Sequence, residues 1–101
     1  MTPLIKHIVM WRLNEQAGNK AENALQLKQL LESLNGKIPG LIRLEVGIDF
    51  SKEEESSEVV LYSEFESRQA LAAYQLHPAH AAVVPFVKSV RAERRVVDYE
   101  A

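Results

Sequence analysis

The sequence contains no cysteine among its 101 residues, and this absence excludes several kinds of chemistry. Without a thiol there is no disulfide framework, no thiolate nucleophile and no cysteine-ligated metal site. Long apolar runs are missing too, since none approaches the ~18 residues of a membrane span. The N-terminal stretch of residues 1–7 carries Lys6 and His7 where a signal peptide would be apolar. We therefore expect a cytoplasmic protein that has no membrane partner.

The sequence also lacks an excess of basic residues, because 12 Lys and Arg face 14 Asp and Glu, for a net charge of −2. A general nucleic-acid binder needs a concentrated basic face, so no nucleic-acid partner is expected. Arg91, Arg94 and Arg95 do cluster, but Glu93 interrupts them and no aromatic stacking platform accompanies them. We interpret this cluster as a solvated strand edge and helix end.

What the sequence does contain is an ordinary globular composition, with 47% hydrophobic and 26% charged residues. This length and composition predict a single domain over residues 1–101. Apolar residues alternate over residues 4–13 and 41–50, which is typical of strands, and residues 21–34 carry an apolar stripe at helical spacing. A further strand is predicted at residues 58–65, followed by a helix that Ser67 caps. Another helix is predicted from Pro78 to about Val90, with a kink or break at Pro85. The last element is a short strand at residues 94–99.

The order β-α-β-β-α-β predicts an α+β fold, the ferredoxin-like arrangement, in which helices cover one face of a four-stranded antiparallel sheet. The covered face would take Ile5, Val9 and Trp11. The opposite face would carry a second apolar set, namely Ile8, Met10, Leu41, Val60 and Tyr62. A small protein seldom exposes such a contiguous patch, so we expect a homodimer that pairs through the sheet face not covered by helices.

Side chains able to exchange protons are concentrated around Pro78. Tyr74, His77 and His80 lie within seven residues, and the fold could bring His7 of the first strand near them. Imidazole titrates close to neutral pH and can act as a general base, while a phenol can hold an enolate oxygen. The predicted catalytic residues are His80, Tyr74 and His7, and the predicted ligand-binding residues are His7, Trp11, Tyr74, His77 and His80. The alternative is that these groups only satisfy buried backbone groups at a helix junction, with His77 as the C-terminal cap of the helix before it.

A metal site formed by His7, His77 and His80 is conceivable from the His-x-x-His spacing. However, Pro78 disrupts the helix, and no carboxylate has suitable spacing nearby. We therefore predict neither a metal ion nor another cofactor. Asp98 and Tyr99 are interpreted as structural residues that tie the last strand to its neighbours or to the partner subunit.

Several segments together resemble one known family. They are Lys6-His7-Ile8-Val9, Ile38-Pro39-Gly40, Leu44-Glu45-Val46-Gly47, Phe65-Glu66-Ser67, the motif Tyr74…His77-Pro78-Ala79-His80, and Val96-Val97-Asp98-Tyr99. From residue 5 to residue 100 the chain resembles the stress-responsive A/B barrel (Dabb) family. The resemblance implies a ferredoxin-like protomer whose sheets pair into a dimeric α+β barrel.

The resemblance also implies candidate roles, because one plant member of that family is a polyketide cyclase that closes a linear tetraketide by an aldol reaction. By that likeness His80 would correspond to the general base, Tyr74 to the hydroxyl that orients it or polarises a carbonyl, and His7 to a pocket residue. Our first hypothesis is a stress-related domain that binds a small apolar or carbonyl-containing molecule between sheet and helices, without established catalysis. The second is a cyclase-like or isomerase-like enzyme that uses His80 with Tyr74, and the third is a purely structural oligomer.

Overall fold

The computed structural model describes residues 3–101, and within them strands and helices follow the predicted order. The elements are β1 (Ile5–Leu13), a 3₁₀ turn (Glu15–Ala17), α1 (Lys20–Glu32), β2 (Leu41–Ile48), β3 (Val59–Phe65), α2 (Arg68–Leu76), α3 (Pro78–Val90) and β4 (Arg91–Glu100). The strands pair antiparallel in the order β2-β3-β1-β4. The predicted ferredoxin-like α+β fold is confirmed.

The starts of the helices follow from local capping. The side chain of Asn19 accepts a hydrogen bond from the backbone N–H of Glu22 at 3.0 Å and begins α1. Ser67 does the same for α2 by accepting from the N–H of Ala70 at 3.0 Å, as predicted. Each cap satisfies a backbone donor that the first helical turn leaves without a partner.

Pro85 lies inside α3, which runs without interruption from Pro78 to Val90. Of the expected kink or break at Pro85, the break is therefore wrong. A proline here removes one hydrogen bond, the one its nitrogen would donate to the carbonyl of Ala81. Packing of the apolar face of α3, which buries Val83, Val87 and Val90, keeps the helix continuous despite that loss.

The core lies between the helices and one face of the sheet. Along β1 and β3, every second side chain is buried, which is the period-two pattern of a sheet covered on one side. The helix-facing side chains of these two strands are Ile5, His7, Val9, Trp11, Leu13, Val59, Leu61, Ser63 and Phe65. Helix α1 buries Ala24, Leu27 and Leu31 against them. Burial of each large aliphatic side chain contributes roughly 1.5–3 kcal/mol to stability.

Strand β2 departs from the predicted alternation near its start. Leu41 pairs with Phe65 and Arg43 pairs with Glu64, so a bulge displaces the register by one residue at Ile42. Leu41 consequently packs against the core on the helix side. The prediction that Leu41 belongs to the uncovered face is wrong, because a pattern of alternation carries no signal for a bulge.

Strand β4 is longer than the segment 94–99 that the sequence predicts. It begins directly after α3 and pairs with the whole of β1, from Leu13 opposite Arg91 to Ile5 opposite Glu100. This register sets Asp98 opposite His7, and Arg94 opposite Trp11. Side chains of paired residues lie on the same side of a sheet. Asp98 and Arg94 are therefore on the side that the helices occupy.

The outer edge of β2 is covered by polar side chains from α1 and the turn after it. Asn35 accepts from the backbone N–H of Leu44 at 2.9 Å and donates to the Leu44 carbonyl at 2.8 Å. Glu32 accepts from the N–H of Val46 at 3.0 Å, and Lys28 donates to the Val46 carbonyl at 2.6 Å. These three side chains occupy backbone groups that an edge strand otherwise leaves open.

The sheet face opposite the helices remains uncovered and is apolar at its centre. Its central side chains are Ile8, Met10, Val60, Tyr62 and Val97, which neighbour one another through the register of β3, β1 and β4. Met10 and Val97 are 42% and 51% exposed. No helix within residues 3–101 is long and apolar enough to cross a membrane.

Candidate functional site

A cavity of about 260 Å³ lies between the helix-facing side of the sheet and helices α2 and α3, and we call it the helix-side cavity. Its walls combine aliphatic side chains with Trp11 and three groups that can exchange protons, His7, Tyr74 and His80. The remaining lining residues are Val9, Leu31, Leu61, Val83, Val84, Val87, Lys88, Arg91 and Arg94. A larger concavity of about 690 Å³ lies beside the β2–β3 hairpin, where no histidine lines it. The chemistry is therefore concentrated in the smaller space.

His7 projects from β1 into the core with its side chain 4% exposed. Its Nδ1 is hydrogen-bonded to the carboxylate of Asp98, the residue paired with it on β4. A carboxylate can only accept, so Nδ1 of His7 donates this hydrogen bond. The Asp98 contact thus fixes the orientation of the His7 ring.

Tyr74 is 1% exposed and lies at the centre of an aromatic cluster. Its ring centroid is 4.9 Å from that of Phe65, 6.3 Å from that of His7 and 4.5 Å from that of His80. Burial raises the pKa of Tyr74 to about 12, while the positive charge of Arg94 acts in the opposite direction. The phenol is therefore protonated at neutral pH and can donate a hydrogen bond.

His80 occupies the first turn of α3, where Pro78 fixes the start of the helix. Its Nδ1 is buried and has no hydrogen-bond partner within residues 3–101. Burial lowers the pKa of His80, the backbone of Gln75 opposes that shift, and the charges of His7 and Arg94 reinforce it. His80 is thus a neutral imidazole at pH 7, with ring nitrogen available to accept a proton or a hydrogen bond.

Trp11 forms part of the same wall and is 4% exposed. Its Nε1–H, like Nδ1 of His80, is buried without a partner among the residues that the structure describes. Buried polar groups in folded proteins are nearly always hydrogen-bonded. The two residues that carry these atoms line the same cavity.

The family model for the stress responsive A/B barrel domain matches residues 5–101. The chain belongs to the Dabb family. A curated relative, the stress-response A/B barrel domain-containing protein DABB1 of Arabidopsis thaliana, is 30% identical over 98% of this chain. The chain spans about half of that relative's length, 48%.

Two solved structures also resemble this Dabb chain. A dimeric protein of unknown function with a ferredoxin-like fold from Bacteroides fragilis is 30% identical, covers 97% of this chain and 96% of its own, and superposes with a TM-score of 0.82. A dimeric ferredoxin-like protein of unknown function from Thermobifida fusca superposes with a TM-score of 0.87 at 23% identity, over 100% of this chain and 93% of its own. The fold of the protomer is therefore shared with proteins that form dimers.

The predicted site residues of this Dabb chain do not all meet. His7, Trp11, Tyr74 and His80 line the helix-side cavity, whereas His77 is not part of its lining. His77 ends α2 and begins α3, and its Nδ1 accepts from the backbone N–H of Ala79 at 3.0 Å. That bond assigns the ring to helix capping instead of ligand contact. Within residues 3–101 no group of three His, Cys, Asp or Glu could hold a metal ion.

Sequence reasoning missed four residues of the site. Asp98 was interpreted as structural, and Arg91 and Arg94 as a solvated edge, while Lys88 received no role. The register of β4 on β1 and the packing of α3 place the three cations at the cavity and Asp98 against His7. The period-two pattern of a strand would have put Arg94 and Asp98 on one face of β4 and Arg95 on the other. It does not show which residues of β1 they face.

Proposed function

We propose that this Dabb chain is a cytoplasmic homodimeric protein, one domain over residues 1–101, that binds a small apolar or carbonyl-containing molecule in the helix-side cavity. The observation that carries the proposal is the pair of buried ring nitrogens, Trp11 Nε1 and His80 Nδ1, that have no hydrogen-bond partner among residues 3–101. The walls are otherwise mainly aliphatic, which is typical of small-molecule sites with a few convergent polar groups. A volume of about 260 Å³ favours a ligand smaller than drug-sized compounds.

The dimer would form through the uncovered sheet face, with a second copy burying the apolar centre around Ile8, Met10 and Val97. The exposed fractions of Met10 and Val97 support this choice, as do the dimeric assemblies of the similar structures. Pairing about a twofold axis brings the same patch of each subunit together. It leaves the helix-side cavity of each subunit on the outer side of its sheet.

Binding is tested by the emission of Trp11, the chain's single tryptophan, together with the melting temperature. A set of small aliphatic and aromatic ketones, acids and amides is titrated into the protein. We expect at least one chemical class to shift both signals, because a ligand that binds only the folded state stabilises it. His80→Ala should weaken that response, while His77→Ala serves as the control that alters the neighbouring cap. A set that leaves both signals unchanged contradicts the proposal.

A second candidate function is enzymatic, a cyclase-like or isomerase-like reaction with His80 as general base and Tyr74 as donor. It is favoured by the lowered pKa of His80 and the raised pKa of Tyr74 in adjacent side chains. His80 would take a proton from the carbon next to a carbonyl, and the Tyr74 O–H would hydrogen-bond the enolate oxygen that forms. In an isomerisation the proton would return from His80 to carbon. In a cyclisation the enolate carbon would form a bond to a second carbonyl carbon, and His80 would give its proton to the alkoxide that this attack produces.

The enzymatic candidate predicts exchange of α-protons for deuterium in bound ketones, followed by NMR in D₂O. We expect exchange above the buffer rate with the native protein, and its loss in His80→Gln. Tyr74→Phe should slow exchange by about 10²-fold or more, since one oxyanion donor contributes that much in other enzymes. If a ketone binds but its α-protons do not exchange for deuterium, the proposed binding function is supported and the proposed enzymatic function is refuted.

A further inference from the structure

Three positively charged side chains line one end of the helix-side cavity, and we call them the cation cluster: Lys88, Arg91 and Arg94. Lys88 lies in the last turn of α3, and Arg91 follows that helix at the start of β4. Arg94 pairs with Trp11 across the strands, which sets its side chain on the cavity side of the sheet. No acidic side chain is among the residues that line the cavity.

The members of the cation cluster have no carboxylate partner among residues 3–101. Other arginines do have one, and Arg12, Arg43, Arg68 and Arg95 each pair with a glutamate. In a chain with a net charge of −2, three positive side chains without a carboxylate partner in the described range 3–101 thus line one cavity. Like charges so placed repel one another, and a bound anion relieves that repulsion.

The influence of Arg94 extends to the interior of the cavity. Burial raises the pKa of Tyr74 and lowers that of His80; the positive charge of Arg94 opposes the first shift and adds to the second. Its cross-strand neighbour Trp11 presents a buried Nε1–H that has no partner in the part of the chain that the structure describes. A guanidinium and an indole N–H on adjacent strands are both donors, so they suit a group with several acceptor oxygens.

We propose that the ligand of this Dabb chain is an organic carboxylate with a small apolar body, held at its carboxylate by Arg94 and Trp11 Nε1–H. The inference rests on the proposed binding function and names the chemical class of that ligand. Arg91 and Lys88 supply further positive charge at the opening, where their side chains reach solvent. The apolar body lies among the aliphatic side chains of β3 and α3, Leu61, Val83 and Val87. Arg94 is assigned the carboxylate because a planar guanidinium matches it with two parallel hydrogen bonds.

The test compares a carboxylic acid with the neutral amide of the same shape, 3-phenylpropanoate with 3-phenylpropanamide and octanoate with octanamide. Each is titrated at pH 7 against the emission of Trp11 and checked by calorimetry. We expect the acid of a pair to bind about tenfold or more tightly than its amide, because charge-assisted hydrogen bonds are roughly twice as strong as neutral ones. Arg94→Gln should weaken binding of the acid far more than binding of the amide, and so remove most of that difference.

The matched control is Arg68→Gln, which removes the same charge from an exposed arginine, 80% exposed, outside the cavity lining. It should leave the affinities of acid and amide unchanged. Arg94→Lys, which keeps the charge without the planar fork, should retain part of the preference for the acid.

Two results overturn the inference in different ways. Equal affinities for acid and amide in the native protein leave the binding function in place and refute the anionic ligand. An equal loss of acid binding in Arg68→Gln and Arg94→Gln shows a general charge effect and refutes the role of Arg94. If neither member of either pair binds, both the binding function in this cavity and the anionic ligand are contradicted.

Discussion

The carboxylate of Asp98 on β4 is hydrogen-bonded to Nδ1 of His7 at the directly paired position of β1. The two residues differ sharply in environment, since the side chain of His7 is 4% exposed and that of Asp98 is 43% exposed. The contact thus links a buried ring to a group that water can reach at the sheet edge. It makes Asp98 a positioning residue for His7.

Replacing Asp98 by alanine should therefore lower the free energy of unfolding. The buried Nδ1–H of His7 would lose its acceptor, at a cost of about 1 kcal/mol, with water compensating part of the loss. Glu100→Ala is the matched control, because Glu100 is 42% exposed on the same side of the same strand and pairs with the exposed Arg68. That change should alter stability by no more than about 0.5 kcal/mol. If urea denaturation gave the same loss in free energy of unfolding for Asp98→Ala and Glu100→Ala, the buried position of His7 would not add to the cost of losing its partner.

Stability should fall as the pH is lowered from 7 towards 5, partly because of His80. Its folded-state pKa is depressed below the ordinary value of 6.5, so the unfolded chain takes up a proton that the folded one resists. The unfolded state binds more protons in this window, and stability therefore rises with pH through it. In His80→Gln this contribution is absent. Urea unfolding of both proteins between pH 5 and 7 should give a shallower slope for the variant, and parallel curves would contradict the assignment.

Two glycines of the α1–β2 connection give a matched pair for backbone substitution. Gly36 and Gly40 both have positive φ, +78° and +83°. A Cβ at Gly36 would meet nothing within 4 Å, whereas one at Gly40 would lie 2.5 Å from Cβ of Ala70 on α2. Gly36→Ala should cost about 1–2 kcal/mol for the left-handed conformation alone.

Gly40→Ala should be more destabilising by a further 1–3 kcal/mol or so, because the backbone must move away from α2. Thermal denaturation of the two variants gives the comparison. Equal losses would mean that the approach of the turn to Ala70 is readily relaxed.

The dimer proposed for the uncovered face should dissociate when a charge is placed at its centre. Val97 is 51% exposed on β4 and neighbours Ile8 across the strands. Val97→Lys would bury an unpaired charge in the interface, which is costly. Leu25→Lys is the control, since Leu25 is 50% exposed on α1, away from that face. Light scattering should show the mass of one chain, 11.4 kDa, for Val97→Lys and twice that for Leu25→Lys.

A native protein that already scatters as one chain at micromolar concentration would contradict the dimer itself. Two copies in every variant would instead place the interface elsewhere on the surface.

The fold could be predicted from local patterns because alternation and capping are properties of short segments. The cap at Ser67 and the buried alternation of β1 illustrate this. The bulge at Ile42 and the continuity of α3 through Pro85 could not be predicted, since tertiary packing decides both.

The candidate site divides along the same line. His7, Tyr74 and His80 can be proposed from the sequence because histidine and tyrosine are few in this chain, and the three residues do line one cavity. The positions of Asp98 and Arg94 in the site depend on which β1 residue each one faces. That pairing register cannot be predicted from the sequence of one strand. For His77 the sequence predicts either ligand contact or the C-terminal cap of the preceding helix. In the structure His77 is that cap, and its Nδ1 also accepts from the N–H of Ala79.

Side chains of α1 and of the turn after it bond to the edge of β2, and this affects how readily the protein can aggregate. An exposed edge strand can pair with a strand of another molecule, and many proteins begin to aggregate in this way. Here the backbone groups of Leu44 and Val46 are already hydrogen-bonded to side chains, namely those of Asn35, Glu32 and Lys28. A strand of another molecule would have to displace these side chains before it could pair with β2. Addition of a strand at Leu44 and Val46 therefore requires that α1 and its following turn first move away from β2.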